Sequence, residues 1–310
     1  MRLEGIHHIT AITADAPRNV DFYARVLGLR LVKKTVNQDD PTVYHLFYAD
    51  ERGSPGADLT FFEYPGLPVG RAGAGMVHRI AHRVASAEAV DFWEQRLRGE
   101  DVAVSRTGDA LRFPDPEGLE HELLVADVAD APLTARSREV PAAYALQGFD
   151  HVRAYTVDPA RSEPLLRDVL GFAPTGDGEW EARGEQRGGS YRYDPATQTG
   201  RSGAGTVHHI AWASPYEELE DWQRRVSGAG ARPTPIIDRF YFRSVYFREP
   251  SGVLFELASI GPGFTSDEPA ETLGEALSLP PDFERLRDRL AGVLTPLPDT
   301  RQWRPDRVGT

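Results

Sequence analysis

Three short apolar stretches carry side chains that an apolar setting does not welcome: Gly5-Ile6-His7-His8-Ile9-Thr10, Thr206-Val207-His208-His209-Ile210-Ala211-Trp212, and Val253-Leu254-Phe255-Glu256-Leu257. An imidazole or a carboxylate loses its hydration on burial and needs a compensating partner. A divalent cation can serve several such groups at once. Two imidazoles and one carboxylate on one face of an octahedron leave three positions open, which suits a non-haem Fe(II). Successive residues of a strand face opposite sides, so one His of each pair is expected to point inward. His8 carries the register repeated at His151, which selects it and, by analogy, His209. With Glu256 these are the expected metal ligands. His7 and His208 then stand behind the ligands or face the substrate.

The elements that must position these residues come in repeats. Val26-Leu27-Gly28-Leu29 returns as Val169-Leu170-Gly171-Phe172. Gly73-Ala74-Gly75-Met76-Val77-His78-Arg79-Ile80-Ala81 returns as Gly203-Ala204-Gly205-Thr206-Val207-His208-His209-Ile210-Ala211. Asp115-Pro116-Glu117-Gly118, leading to Glu122-Leu123, returns as Glu249-Pro250-Ser251-Gly252, leading to Glu256-Leu257. Each half divides again, because His7-His8-Ile9 resembles His208-His209-Ile210. The unit is therefore a strand, a helix and several strands.

In the first unit the pattern predicts a strand over 6–13 and a helix over 16–27 with Val20, Tyr23 and Leu27 at helical spacing. Gly28 stops that helix, and strands follow over 43–48 and 58–64. The second unit opens at Met76, with a helix over 87–97 and a last strand over 119–125. The third opens at Phe149, with a helix over 162–170 and strands near Trp180 and Tyr191. The fourth opens at Thr206, with a helix over 219–226 and strands over 241–247 and 253–259. The expected organisation is a two-module half at 1–130, a polar, Pro-containing linker over 129–141, a second two-module half at 145–265, and a tail over 266–310. The tail is expected to carry an outer helix over 283–294 and a frayed polar end over its last ten residues.

Composition narrows the partners. The 310 residues suit about two domains, and a hydrophobic content of 40% with 26% charged residues is ordinary for a globular chain with a large core. The formal charge of -12, with 35 basic residues scattered among 47 acidic ones, argues against a nucleic-acid surface. Without cysteine there is no disulfide, thiolate metal site or cysteine nucleophile. No run approaches the roughly 18 apolar residues of a membrane helix, so no membrane partner and a cytoplasmic location are expected. A homo-oligomer is also expected.

The repeated unit, its His-His-Ile openings and the closing Phe-Glu-Leu strand resemble the vicinal-oxygen-chelate superfamily of glyoxalases, bleomycin-resistance proteins and dioxygenases. Nearly the whole chain resembles its ring-cleaving dioxygenases of the hydroquinone type. The matching stretches are Gly5 to Thr10, Val43-Tyr44-His45-Leu46-Phe47-Tyr48-Ala49-Asp50 with Gly53-Ser54-Pro55-Gly56, Tyr241-Phe242-Arg243-Ser244-Val245-Tyr246-Phe247, and Gly261-Pro262-Gly263-Phe264-Thr265. The resemblance implies an α+β fold of four βαβββ modules in two open β-barrels, with the C-terminal helix appended. It implies iron on His8, His209 and Glu256, and hence module one paired with module four and module two with module three. It implies an Fe(II)-dependent, extradiol-type enzyme that opens a hydroquinone or catechol ring with both atoms of O₂; Mn, Zn and Ni are the alternative metals.

Arg239 and Tyr246 fall on the family's pocket Arg and Tyr. On their own chemistry they suit holding a substrate oxyanion and hydrogen-bonding an oxygen, and with His208 and His7 they are the candidate catalytic residues. Pairing of consecutive modules would instead give His151, His209 and Glu256. Glu63, aligned with Glu256 by module position, would as a fourth ligand close the site toward a glyoxalase-like isomerase or lyase. Arg79 stands where His209 does, which makes Glu122 a salt-bridged remnant. A non-catalytic small-molecule binder is the third functional class.

Overall fold

The computed structural model describes residues 1–306. The first unit runs β1 (Ile6–Thr13), α1 (Ala16–Val20), β2 (Arg30–Val36), β3 (Tyr44–Ala49) and β4 (Asp58–Glu63). The second runs β5 (Met76–Val84), α2 (Ala87–Gly99), β6 (Ser105–Thr107), β7 (Ala110–Pro114) and β8 (Glu120–Val125). The third contains β9 (Phe149–Thr156), β10 (Ala173–Gly176), β11 (Glu179–Arg183) and β12 (Gly188–Pro195). The fourth contains β13 (Thr206–Ser214), α3 (Leu219–Gly228), β14 (Ile237–Asp238), β15 (Arg243–Arg248) and β16 (Leu254–Ser259).

Hydrogen bonding joins the units across the covalent halves. β1 pairs antiparallel with β13, so the first and fourth units form one eight-stranded sheet, ordered β14-β15-β16-β13-β1-β4-β3-β2. β5 pairs antiparallel with β9 to give the second sheet, ordered β10-β11-β12-β9-β5-β8-β7-β6. The result is the expected α+β architecture of two curled, open sheets. Two connecting segments zip together through isolated bridges, Val69 with Ala204, Arg71 with Arg201 and Ala74 with Thr199. Glycine is required there, because a Cβ on Gly73 would lie 2.4 Å from the Gly200 nitrogen.

Local chemistry explains the helices. Ser86 caps α2 by accepting from the Ala89 N–H at 3.3 Å, and Val90, Trp93 and Leu97 form its buried stripe. α1 is capped by Asp15 and widens after Val20, with the Leu27 N–H donating to the Phe22 carbonyl at 2.9 Å. The third unit repeats this widening at Leu170 and Leu165, also at 2.9 Å. Gly28 and Gly171 terminate the two segments with φ of 69° and 73°, a conformation disfavoured for side-chain-bearing residues.

β2 was not foreseen. Arg30, Lys33 and Lys34 interrupt its apolar pattern, yet Lys33 is completely buried. Its ammonium donates to the Phe264 carbonyl at 3.2 Å and to Asp267 at 2.7 Å, pairs with Glu268, and lies 4.7 Å above the Tyr241 ring. These contacts fasten the segment after β16 across β2, where the Ser278 N–H also donates to the Lys34 carbonyl at 2.9 Å. The tail departs from expectation further on. A 3₁₀ stretch over Pro281–Leu286 precedes a short helix, α4 (Arg287–Ala291), because Pro280-Pro281 fixes a tight entry. The supposed frayed end is docked as far as it is described: Arg304 pairs with Glu51 at 2.8 Å, and the Arg138 N–H donates to the Trp303 carbonyl at 2.9 Å. Residues 307–310 of that expectation lie outside the described residues.

Removing the Lys33 charge leaves the Asp267 and Glu268 carboxylates side by side without their shared counter-charge. Lys33→Met is expected to lower stability by about 3 kcal/mol, seen as a lower urea midpoint with an unchanged m-value.

Candidate metal centre

The two histidine pairs sit on two β-bulges in a single strand pairing. Along β1 and β13 the register steps from Ile6↔Trp212 to His8↔Ala211, which inserts His7, and from Thr10↔His209 to Ala11↔Val207, which inserts His208. A bulge re-aims the side chains beside it. Strict alternation therefore does not separate the members of each pair: His7 Nδ1 lies 2.9 Å from His8 Nδ1, and His208 Nδ1 lies 2.8 Å from His209 Nδ1. A proton on the Nδ1 of His8 and of His209, donated to the neighbouring ring, leaves each Nε2 with a free lone pair. This is the tautomer a metal needs.

Those two Nε2 atoms face each other at 3.2 Å. The third member comes from β16, which runs parallel to β13 with Ala211 opposite Glu256. Glu256 Oε2 lies 2.9 Å from His209 Nε2 and 3.2 Å from His8 Nε2, yet neither approach has hydrogen-bond geometry, so both carboxylate oxygens are buried without a donor. His8, His209 and Glu256 are 1%, 3% and 0% exposed. Burial by itself would raise the Glu256 pKa, but the two imidazoles overcome it and hold the carboxyl well below its usual range. Burial lowers His209, with Glu256 opposing; burial, then His8, pushes His7 down to about 3.

The donor set fits a cation. At ligand distances of about 2.1 Å, neighbouring positions of an octahedron lie roughly 3.0 Å apart and those of a tetrahedron roughly 3.4 Å. The observed separations of 2.9, 3.2 and 3.2 Å are those of neighbouring ligand positions around one cation.

Sheet register corrects the proposed fourth ligand. Thr10 follows His8 by two residues and pairs with Thr60, as Ala211 follows His209 by two and pairs with Glu256. The pseudo-symmetric mate of Glu256 is therefore Thr60, whose hydroxyl bonds to Thr10 Oγ1 at 2.7 Å. Glu63 lies three residues on, where it accepts from the Ala16 N–H at 3.1 Å and the Thr295 hydroxyl at 3.0 Å. It caps a helix and does not join the cluster. His151 does not join it either, because β9 belongs to the other sheet, where Asp150 takes its Nδ1 at 2.7 Å. In that sheet the counterpart of Glu256 is Glu122, opposite Ala81 and contacted by Arg79 at 3.3 Å and Arg112 at 3.1 Å. Two guanidinium groups occupy the place of a cation.

A cavity opens beside the three residues, walled by Phe47, Phe62, Phe242 and Tyr246, with His45 and Arg239 among its polar groups. Tyr246 lies across from Glu256 on β15, and burial, then Glu256, pushes its hydroxyl pKa up. Arg239 lies over the Tyr246 ring at 5.6 Å and is clasped by Asp39 at 2.9 and 3.1 Å. His7 lies behind Phe242, their centroids 5.3 Å apart, and the exposed His208 stands beside Phe62; neither lines the cavity. Sequence reasoning assigned no role to His45, Thr60, Asp39 or Phe242. His45 and Phe47 share a strand face by parity, which was the one readable signal.

The family model described as Glyoxalase/Bleomycin resistance protein/Dioxygenase superfamily matches residues 5–123 and 148–257. The chain belongs to that superfamily. Within it, the chain is 38% identical to the Bacillus subtilis (strain 168) protein named "Putative ring-cleaving dioxygenase MhqA", over 96% of this chain and all of that protein. It is 32% identical to the chlorohydroquinone/hydroquinone 1,2-dioxygenase of Sphingobium indicum, over 93% of this chain and 95% of that one. A crystal structure titled "putative dioxygenase" from Bacillus subtilis superposes with a TM-score of 0.88 at 38% identity, covering 96% of this chain and 98% of that chain.

For this superfamily member, replacing His8, His209 or Glu256 by alanine should abolish stoichiometric Fe(II) binding, whereas Glu63→Ala should leave it unchanged, as read by metal analysis after anaerobic loading and desalting. Thr60→Glu should add a second carboxylate to the cluster and tighten Zn(II) or Ni(II) binding by at least about tenfold.

Proposed function

We propose that the protein is a non-haem Fe(II)-dependent ring-cleaving dioxygenase of extradiol type, acting on a dihydroxylated aromatic of the hydroquinone or catechol class. The observation that carries this reading is a buried set of three donors, with a hydroxyl at Thr60 where a second carboxylate would close the set, beside an aromatic-walled cavity. The relatives named as ring-cleaving dioxygenases support it. Held by His8, His209 and Glu256, the metal would lower the pKa of a ring hydroxyl and bring the ring and O₂ within reach of each other.

The rest falls to the chain's own side chains. His7 and His208 accept the Nδ1 protons of His8 and His209 and so keep both ligand lone pairs directed at the metal. Phe47, Phe62 and Phe242 grip a flat ring by edge and face contacts and exclude water from it. Tyr246, neutral because burial raises its pKa, donates its proton to an oxygen that becomes more basic as the ring opens. Arg239 releases Asp39 to meet an anionic oxygen, a charge-assisted contact stronger in this dry setting than in water.

Anaerobic loading with Fe(II), followed by oxygen-electrode assays over a panel of catechols and hydroquinones, tests the proposal. Stoichiometric O₂ uptake with loss of the aromatic absorbance is the expected result, and Tyr246→Phe should reduce its kcat by about a hundredfold. Activity with Ni(II) or Zn(II) and no O₂ uptake would instead indicate an isomerase, and failure to retain any metal would indicate a binding protein.

A further inference from the structure

One polar group in the cavity has no task in the mechanism above. His45, on β3, lies between the rings of Phe47 and Phe62, with centroid separations of 4.0 and 4.4 Å. Its Nε2 is tied to Thr60 Oγ1 at 3.0 Å, and Thr60 in turn to Thr10 Oγ1 at 2.7 Å. Among the described residues no protein group meets its Nδ1, and that atom is not sealed in the interior, because the side chain lines the cavity. An imidazole set between two phenylalanines loses hydration that a single hydrogen bond does not restore.

The fold does not demand an imidazole there. The pairing Phe47↔Thr60 on β3 and β4 corresponds to Tyr246↔Glu256 on β15 and β16, and two residues before Tyr246 stands Ser244. One architecture thus accepts serine in one module and carries histidine in the other, and the histidine is on the module that completes the cavity wall.

We propose that His45 positions the substrate, its Nδ1 hydrogen-bonding the ring oxygen that the metal does not hold; this rests on the ring-cleavage reading. The preferred substrate is then a diol whose second oxygen points away from the metal, as in a hydroquinone, rather than one whose oxygens are adjacent. Arg239 serves this role less well, because a guanidinium can only donate. His45 can donate or accept. The chain Thr10–Thr60–His45 accommodates either tautomer, because Nδ1 carries the proton when the Thr60 hydroxyl donates to Nε2 and a lone pair when the Nε2–H donates to Thr60. Burial, reinforced by His8 and His209, keeps the imidazole neutral, which leaves both options open to a phenol or a phenolate.

Anaerobic calorimetric titration of the Fe(II)-loaded protein with phenol and with hydroquinone tests the assignment. Wild type is expected to bind hydroquinone about tenfold more tightly than phenol, the scale of one hydrogen bond. In His45→Phe the ratio should fall to about one, with phenol affinity and iron content unchanged and with KM for hydroquinone rising more than kcat falls. His45→Gln, which keeps a polar atom, should retain part of the preference, and it serves in place of the phenylalanine variant if that variant does not fold. A folded, iron-loaded His45→Phe with the wild-type ratio would overturn the proposal. So would a wild type that binds the two phenols alike, which would leave the ring-cleavage reading intact. A loaded wild type that binds neither phenol would remove that reading and the proposal with it.

Discussion

The structure depends on one antiparallel contact, that of β1 with β13. Two bulges in it place an imidazole pair on each strand, and the parallel neighbour β16 adds the carboxylate. Three groups that would each be unfavourable in an apolar sheet become favourable together, because each removes the desolvation problem of the others once a cation is shared. Had either bulge been absent, the alternation of the strand would carry His7 and His208 away from His8 and His209. The hydrogen bonds within each imidazole pair would then be lost.

The second sheet shows the same scaffold balancing a buried carboxylate with arginine. Its bulges recur at His78 and Asp150, and its carboxylate recurs at Glu122. There the balancing charge is covalently attached: Arg79 and Arg112 bring guanidinium groups to within 3.3 and 3.1 Å of Glu122. A guanidinium neutralises a carboxylate as an ion does, but it offers no coordination position to a reactant. The two sheets thus separate the structural function of a buried charge pair from its chemical use.

Much of this was legible in the sequence, and the exceptions have physical causes. Repetition revealed the units, and the His-His-Ile openings and Phe255-Glu256-Leu257 marked residues that the structure brings within 3.2 Å of one another. Pairing of the first unit with the fourth is a long-range property that no local pattern encodes; family resemblance supplied it. Glu63 was misread because alignment by module position tolerates a three-residue error, whereas sheet register does not. β2 was missed because the lysine it buries finds its counter-charges more than two hundred residues away, at Asp267 and Glu268. His45 was hidden in plain view, since only the parity of its strand and the emptiness beside its ring distinguish it from a packing residue.

The nesting of the two sheets also sets an order of assembly. The inner pair of units occupies one uninterrupted stretch, from Met76 to Pro195, and can close as soon as that stretch has left the ribosome. The outer pair cannot, because β1 is made before the inner pair and its partner β13 only after it. Throughout that interval the opening strand must keep an unpaired, strongly apolar edge from meeting another chain, so nascent-chain crowding is a greater hazard for the histidine-bearing sheet than for its arginine-bearing twin.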